Sequence, residues 1–218
     1  MKTALALIVM TLGLGAPAWA QPRTPKPPPH VPVDFRAYAH LDQVWMDASQ
    51  SFEAVLGTSS LTAGGVGVDV VDLWRGAFVR AGISRMGGHG SRVPFGDDTA
   101  PGTVPTAVRI RTLELGAGWR YALPARPAYV IYGGADLLRV GYSEVSDVAT
   151  DEENTPVGFW GRAIFGGVEY TAWRRFIVGG EVQFRSVPNA LGSGGVSADF
   201  NETNLGGFVI RGLIGFRK

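Results

Sequence analysis

Residues 206–218 read G-G-F-V-I-R-G-L-I-G-F-R-K. On a period-2 strand Phe208, Ile210, Gly212, Ile214 and Phe216 share one face, and Val209, Arg211, Leu213, Gly215 and Arg217 share the other. One face stays apolar almost to the terminus while the opposite face carries arginine. That is an unusual pattern for a soluble protein. It suits a strand with lipid on one side and a polar lumen behind it.

Working back along the chain, seven further segments alternate, at residues 35–45, 61–71, 74–85, 106–121, 128–143, 157–170 and 175–186. Residues 47–57 carry capping types before an apolar stretch that Gly57 ends, which predicts a short helix in the first connection. Residues 86–104 hold seven Gly and Pro and two Asp, and read as a long loop. The acidic patch 147–154 and the glycine-rich stretch 188–205 read the same way, whereas 72–73, 123–127 and 172–174 are tight turns. Connections therefore alternate long and short, and both termini fall on the short-turn side. Pro105, Pro124, Pro127, Pro156 and Pro188 sit at strand ends, where a ladder tolerates them. Arg109 and Arg111 break the apolar phase that Leu113–Tyr121 keeps, so a bulge near Thr112 or a protruding strand end is expected. The fold these features predict is all-β: an eight-stranded antiparallel up-and-down transmembrane β-barrel with short periplasmic turns and long external loops.

Aromatic residues support the same reading. Trp119, Tyr121, Tyr129, Tyr170 and Phe216, with Phe35 and Trp74, map to strand ends on the short-turn side. Trp45, Tyr142, Trp160 and Phe184 map to the opposite ends, although Trp74 and Tyr142 fall in the inward phase. Two aromatic girdles at interfacial depth are what a spanning barrel carries.

The N-terminus places the chain outside the cytoplasm. Lys2, the apolar run of residues 4–14 and Ala18-Trp19-Ala20 form the pattern of a signal peptide over residues 1–20. Residues 21–33, P-R-T-P-K-P-P-P-H-V-P-V after Gln21, read as a Pro-rich periplasmic tether, leaving 34–218 as the barrel domain. Cleavage removes one lysine, so Lys+Arg falls from 20 to 19 against Asp+Glu 19, and the mature chain is formally neutral. That argues against a nucleic-acid partner, which wants a net basic face. Cysteine is absent, so thiolate metal sites, disulfides, cysteine nucleophiles and a lipid-modified N-terminal cysteine are all excluded.

The inward phase collects Arg36, His40, Asp42, Asp69, Arg80, Glu114, Arg120, Asp136, Glu181, Arg185 and Arg211. Charges of both signs in a narrow lumen must pair, because an unpaired buried charge costs far more than a paired one. They form either a salt-bridged plug or a thin polar path, and at eight strands the interior holds little beyond its own side chains. His89-Gly90-Ser91, with Asp97 and Asp98 nearby, has the residue types of a hydrolase. Set in a glycine-rich loop, it lacks the support a nucleophile–base pair requires. Neither Asp151-Glu152-Glu153 nor Asp199/Asn201/Glu202 has the spacing of a calcium loop. No catalytic residue, metal or cofactor is expected.

The run T-x-E-x-G-x-G-x-R-Y (Thr112–Tyr121), the segment G-G-V-E (Gly166–Glu169) and the aromatic-bearing last strand resemble the small eight-stranded outer-membrane barrels of Gram-negative bacteria, the OmpA-barrel, OmpX and OmpW group. The resemblance spans residues 35–218 and implies the fold and an outer-membrane location. The expected partners are outer-membrane lipid, lipopolysaccharide and the barrel-assembly machinery, with the barrel a monomer. The chain departs from the group in its tail, where Arg217 and Lys218 follow the aromatic Phe216. The expected role is structural or surface interaction. The alternatives are a narrow passive pore for small or apolar solutes and a soluble secreted lipocalin-type ligand binder, which would turn its apolar face inward.

Overall fold

Alternation of small or branched residues with charged ones gives strands that pair in sequence order until the last meets the first. The computed structural model describes residues 34–92, 104–146, 157–192 and 195–218. The signal peptide, the tether, Asp97, Asp98 and residues 151–153 lie outside them. The elements run β1 (Asp34–Met46), α1 (Ser49–Leu56), β2 (Ser60–Val71), β3 (Ala77–Arg92), β4 (Val104–Leu123), β5 (Arg126–Ser146), β6 (Val157–Thr171), β7 (Phe176–Ser186), α2 (Gly195–Asp199) and β8 (Gly207–Arg217). The eight strands form one closed antiparallel barrel, with β8 pairing β1 from Arg36↔Arg217 to Met46↔Gly207.

Several boundaries differ from the sequence expectation, each for a physical reason. Residues 86–92 are not loop but the end of β3, paired through Gly87↔Arg109 and His89↔Ala107 with a longer β4. The glycines there are not turn signals. A Cβ on Gly90 would lie 1.9 Å from the Val55 carbonyl oxygen, and one on Gly88 2.9 Å from Leu56 Cδ1, so they let α1 lie against the hairpin. There is no bulge near Thr112. The β3–β4 register is unbroken there, and β4 shifts register only at Ala122/Leu123, against β5. The protruding-end alternative describes Arg109 and Arg111, which stay in the outward phase where the strand rises past its apolar segment. Strand three starts at Ala77 rather than at residue 74, because Asp72 and Arg75 (φ 59° and 48°) and Gly76 (φ 88°) form the turn. Trp74 is therefore an exposed turn residue, not an inward strand residue.

The glycine content has a packing cause. Bulky inward side chains lie over a glycine at the directly opposed position of the next strand, as in Tyr38↔Gly67, Phe78↔Gly118 and Tyr132↔Gly167. A Cβ on Gly67 would meet the Tyr38 ring at 2.4 Å, and one on Gly118 would meet the Phe78 ring at 2.9 Å. The lumen is so narrow that one strand's aromatic ring occupies its neighbour's side-chain space. Gly67→Val should therefore destabilise the barrel by about 1–3 kcal/mol through overpacking. Tyr38→Ala in the same chain should relieve most of that cost in urea unfolding from detergent micelles. Equal destabilisation with and without Tyr38 would remove this explanation of the glycines.

Candidate functional site: the barrel interior and its outer face

The interior has two tiers. Toward the short-turn mouth it is ionic. Arg36, on β1, donates through Nε to Asp69 Oδ2 of β2 at 2.7 Å and also contacts Glu169 of β6. Arg120 Nη2 reaches Glu169 Oε1 at 3.0 Å. One layer up, Arg80 holds Asp136 and donates to Glu181 Oε2 at 2.8 Å, with its guanidinium 3.4 Å from the Phe165 ring centre. At the centre Arg211 donates Nε to Asp42 Oδ1 (2.8 Å) and Nη1 to Glu114 Oε2 (3.0 Å), and its Nη1 lies 3.5 Å from Glu181 Oε1. Arg185 bonds Glu114 Oε1 at 2.7 Å and Asp42 Oδ2 at 3.3 Å, and His40 Nδ1 lies 2.8 Å from Asp42 Oδ1. The side chains singled out as lumen residues thus come together, all of them buried, in two ionic networks: one of His40, Asp42, Arg80, Glu114, Asp136, Glu181, Arg185 and Arg211, and, nearer the short-turn mouth, one of Arg36, Asp69 and Arg120.

Glu169, wholly buried between Arg36 and Arg120, belongs to the second of these networks and was missed from sequence. The phase of β6 is blurred by Gly158, Gly161, Gly166 and Gly167. The signal that could have found it is the pair Val168 and Tyr170, both outward, which forces Glu169 in. Asp69 Oδ1 and the Tyr132 hydroxyl have no hydrogen-bond partner among the described residues.

Toward the long connections the interior turns apolar. Val44, Met46, Leu61, Val108, Ile110, Leu138, Val140, Val187 and Val209 form a continuous cluster with Phe52 and Val55 of α1 above them. Tyr142, expected in the aromatic row, packs half-buried against this cluster instead. The gap left between Val44, Ile110, Leu138 and Val187 amounts to about 10 Å³, at or below what one water molecule needs.

The helix over this tier is held from a distance. Asp47 does not cap α1, and residue 48 makes no side-chain cap bond. Glu202, on the β7–β8 connection, accepts from Ser51 N (2.8 Å), Ser51 Oγ (2.5 Å) and Gln50 N (3.1 Å), while Asp47 takes Asn204 Nδ2 at 2.6 Å. Partial burial opposes ionisation of Glu202, but the bonds from Ser51 and Gln50 outweigh it and hold the carboxyl below its ordinary value. A depressed folded-state value adds stability above the ordinary carboxylate range and loses it as pH falls through the lowered value. Acidification, and Glu202→Gln at neutral pH, should therefore speed protease cleavage at α1 while the barrel stays folded. Cleavage that is unchanged by both would sink the latch.

The C-terminal tail closes the seam. Arg217 bonds Asp72 Oδ2 at 2.5 Å and lies 2.9 Å from Asp34 Oδ2, and Lys218 N donates to the Phe35 carbonyl oxygen at 3.0 Å. The two residues after Phe216 are thus used where the first and last strands meet.

Outside, the surface is sorted with the opposite sign. Leu41, Val66, Val68, Ile83, Leu115, Leu137, Ile164, Val182 and Ile214 are exposed around the whole wall. Trp119, Tyr121, Tyr129, Tyr170 and Phe216 are exposed near the short turns, and Trp45, Trp160 and Phe184 near the other rim. His89 and Ser91 also point outward, from the strand end of β3, exposed and joined by no hydrogen bond. None of the described residues forms a cluster of three or more His, Cys, Asp or Glu able to hold a metal ion.

No protein-family model matches the sequence, and no curated protein matches it. The fold is that of the eight-stranded outer-membrane barrels. The chain is similar to the outer membrane protein OprG from Pseudomonas aeruginosa, at 12% identity and a TM-score of 0.51 over 85% of this chain and 96% of that one. It is also similar to the N-terminal β-barrel domain of Pseudomonas aeruginosa OprF, at 12% identity and a TM-score of 0.48 over 85% of this chain and 97% of that one.

Proposed function

We propose that this chain is an exported outer-membrane barrel of a Gram-negative envelope, without catalytic activity, acting through its structure and its external surface rather than as a conduit. One observation carries the reading: every acidic strand residue among those described lies in the inward phase, while large apolar side chains cover the outer wall between two aromatic rows. A ligand-binding soluble barrel has the reverse sign, and an exposed apolar band of this extent is untenable in water. The ionic tier and the apolar tier fill the interior, which supports a plug over a path. His89 and Ser91 stand open to solvent, with no bond between them to set a nucleophile–base geometry, which supports a non-catalytic role. Residues 1–20 would direct export, and the assembly machinery and lipid would be its partners. The test is the gel mobility of boiled and unboiled protein from a detergent-extracted membrane fraction. The reading expects a membrane-bound species that shifts on boiling; protein found only in the soluble fraction, without a shift, would overturn it.

A further inference from the structure

Every charge in the outward phase within the described strands is an arginine, apart from the terminal Lys218, which follows β8. Apart from Arg126, the exposed first residue of β5 beside a short turn, these arginines are Arg85 on β3, Arg109 and Arg111 on β4, Arg139 on β5 and Arg162 on β6. All five are exposed, and all lie toward the long-connection rim of four consecutive strands. None has a carboxylate partner among the described residues, whereas the interior arginines are all paired. Arg85 and Arg111 are directly opposed in the β3–β4 register. Like charges so placed stand about 5 Å apart at Cβ and repel, so the arrangement costs stability unless an anion lies between them. Arg139 stacks on Trp160, its direct partner on β6, at 5.1 Å.

Their depth identifies the anion. Arg85, Arg111, Arg139 and Arg162 each lie two residues along the same face from Ile83, Leu113, Leu137 and Ile164, exposed apolar residues of the wall. Two residues of strand rise about 6.6 Å, so the guanidiniums stand at the boundary where acyl chains give way to headgroups. On β1, β2, β7 and β8 the outward residues toward the same rim are neutral, among them Gln43, Thr62 and Ser186. The basic face is therefore one-sided, and guanidinium forks suit phosphate oxygens.

We propose that the outward arginines of β3–β6 form a binding site for the phosphorylated headgroup of an outer-leaflet glycolipid, with Arg85 and Arg111 clasping one phosphate and Arg139 and Arg162 a neighbouring one. This rests on the membrane reading above and names a lipid for that surface. The protein is refolded into phosphatidylcholine bilayer discs doped with diphosphorylated lipid A or with the same lipid dephosphorylated. It is then repurified in detergent, and the retained lipid is counted by mass spectrometry. Wild type retains the phosphorylated form selectively, and R85Q/R111Q and R139Q/R162Q each lower that retention on the order of tenfold. R174Q/R175Q, at the opposite rim, leaves it unchanged. Equal retention of both lipids, or retention indifferent to both rim variants, would overturn the site. So would heparin binding lost in those variants while lipid retention stays intact, since that would assign the arginines to a soluble polyanion. Boiled and unboiled mobility of each disc preparation reads folding separately: wild type that never folds into discs overturns the membrane reading and the site together. A folded protein without selectivity overturns the site alone.

Discussion

Replacing Arg211 with methionine should destabilise the folded barrel by about 3–5 kcal/mol, the loss expected when one partner of a buried ionic cluster is removed. Arg211 is wholly buried and joins Asp42 of β1 to Glu114 of β4, and it also approaches Glu181 of β7. Without it two carboxylates share Arg185 alone among the guanidiniums at that level. The double variant R211M/D42N should recover most of the loss, because Glu114 stays paired with Arg185 and no charge is left stranded. The measurement is urea unfolding from lipid vesicles followed by tryptophan fluorescence. A single variant as stable as wild type, or a double variant no better than the single, would show that the cluster does not hold the strands together.

The second large effect lies on the outer wall. Leu115 faces outward on β4, with Leu113 and then Arg111 toward one rim and Ala117 and then Trp119 toward the other. It therefore sits at mid-depth of the apolar band. Leu115→Arg should cost about 2–4 kcal/mol in vesicles, the penalty for a cation at the bilayer midplane of a barrel. In detergent micelles, where the side chain reaches water more readily, the cost should shrink. Folding into vesicles at the wild-type free energy would mean that Leu115 does not face lipid.

The strand order and the inward charges were legible because period 2 is strict wherever lipid and lumen face each other across one strand. Along β7 and β8 each alternate residue declares its side, from Phe176 to Phe216. What was obscured has specific causes. Gly88 and Gly90 carry two meanings, turn or close approach, and only the position of α1 decides between them. Arg109 and Arg111 seemed to break a phase that is in fact continuous; the change is in what the outward face meets, not in the strand. The apolar tier was hidden because Val44, Ile110, Leu138 and Val209, although in the inward phase, are as apolar as the outer wall, and what they pack against is set only by α1 closing over them. Glu202 as the partner of the α1 N-terminus, 151 residues from Ser51, has no local signature at all.

A filled interior leaves no through path for ions. Purified protein inserted into a planar bilayer should give no steady conductance, since two ionic networks and an apolar tier occupy the space that eight strands enclose. Stable, reproducible single-channel steps from the wild-type protein would contradict it.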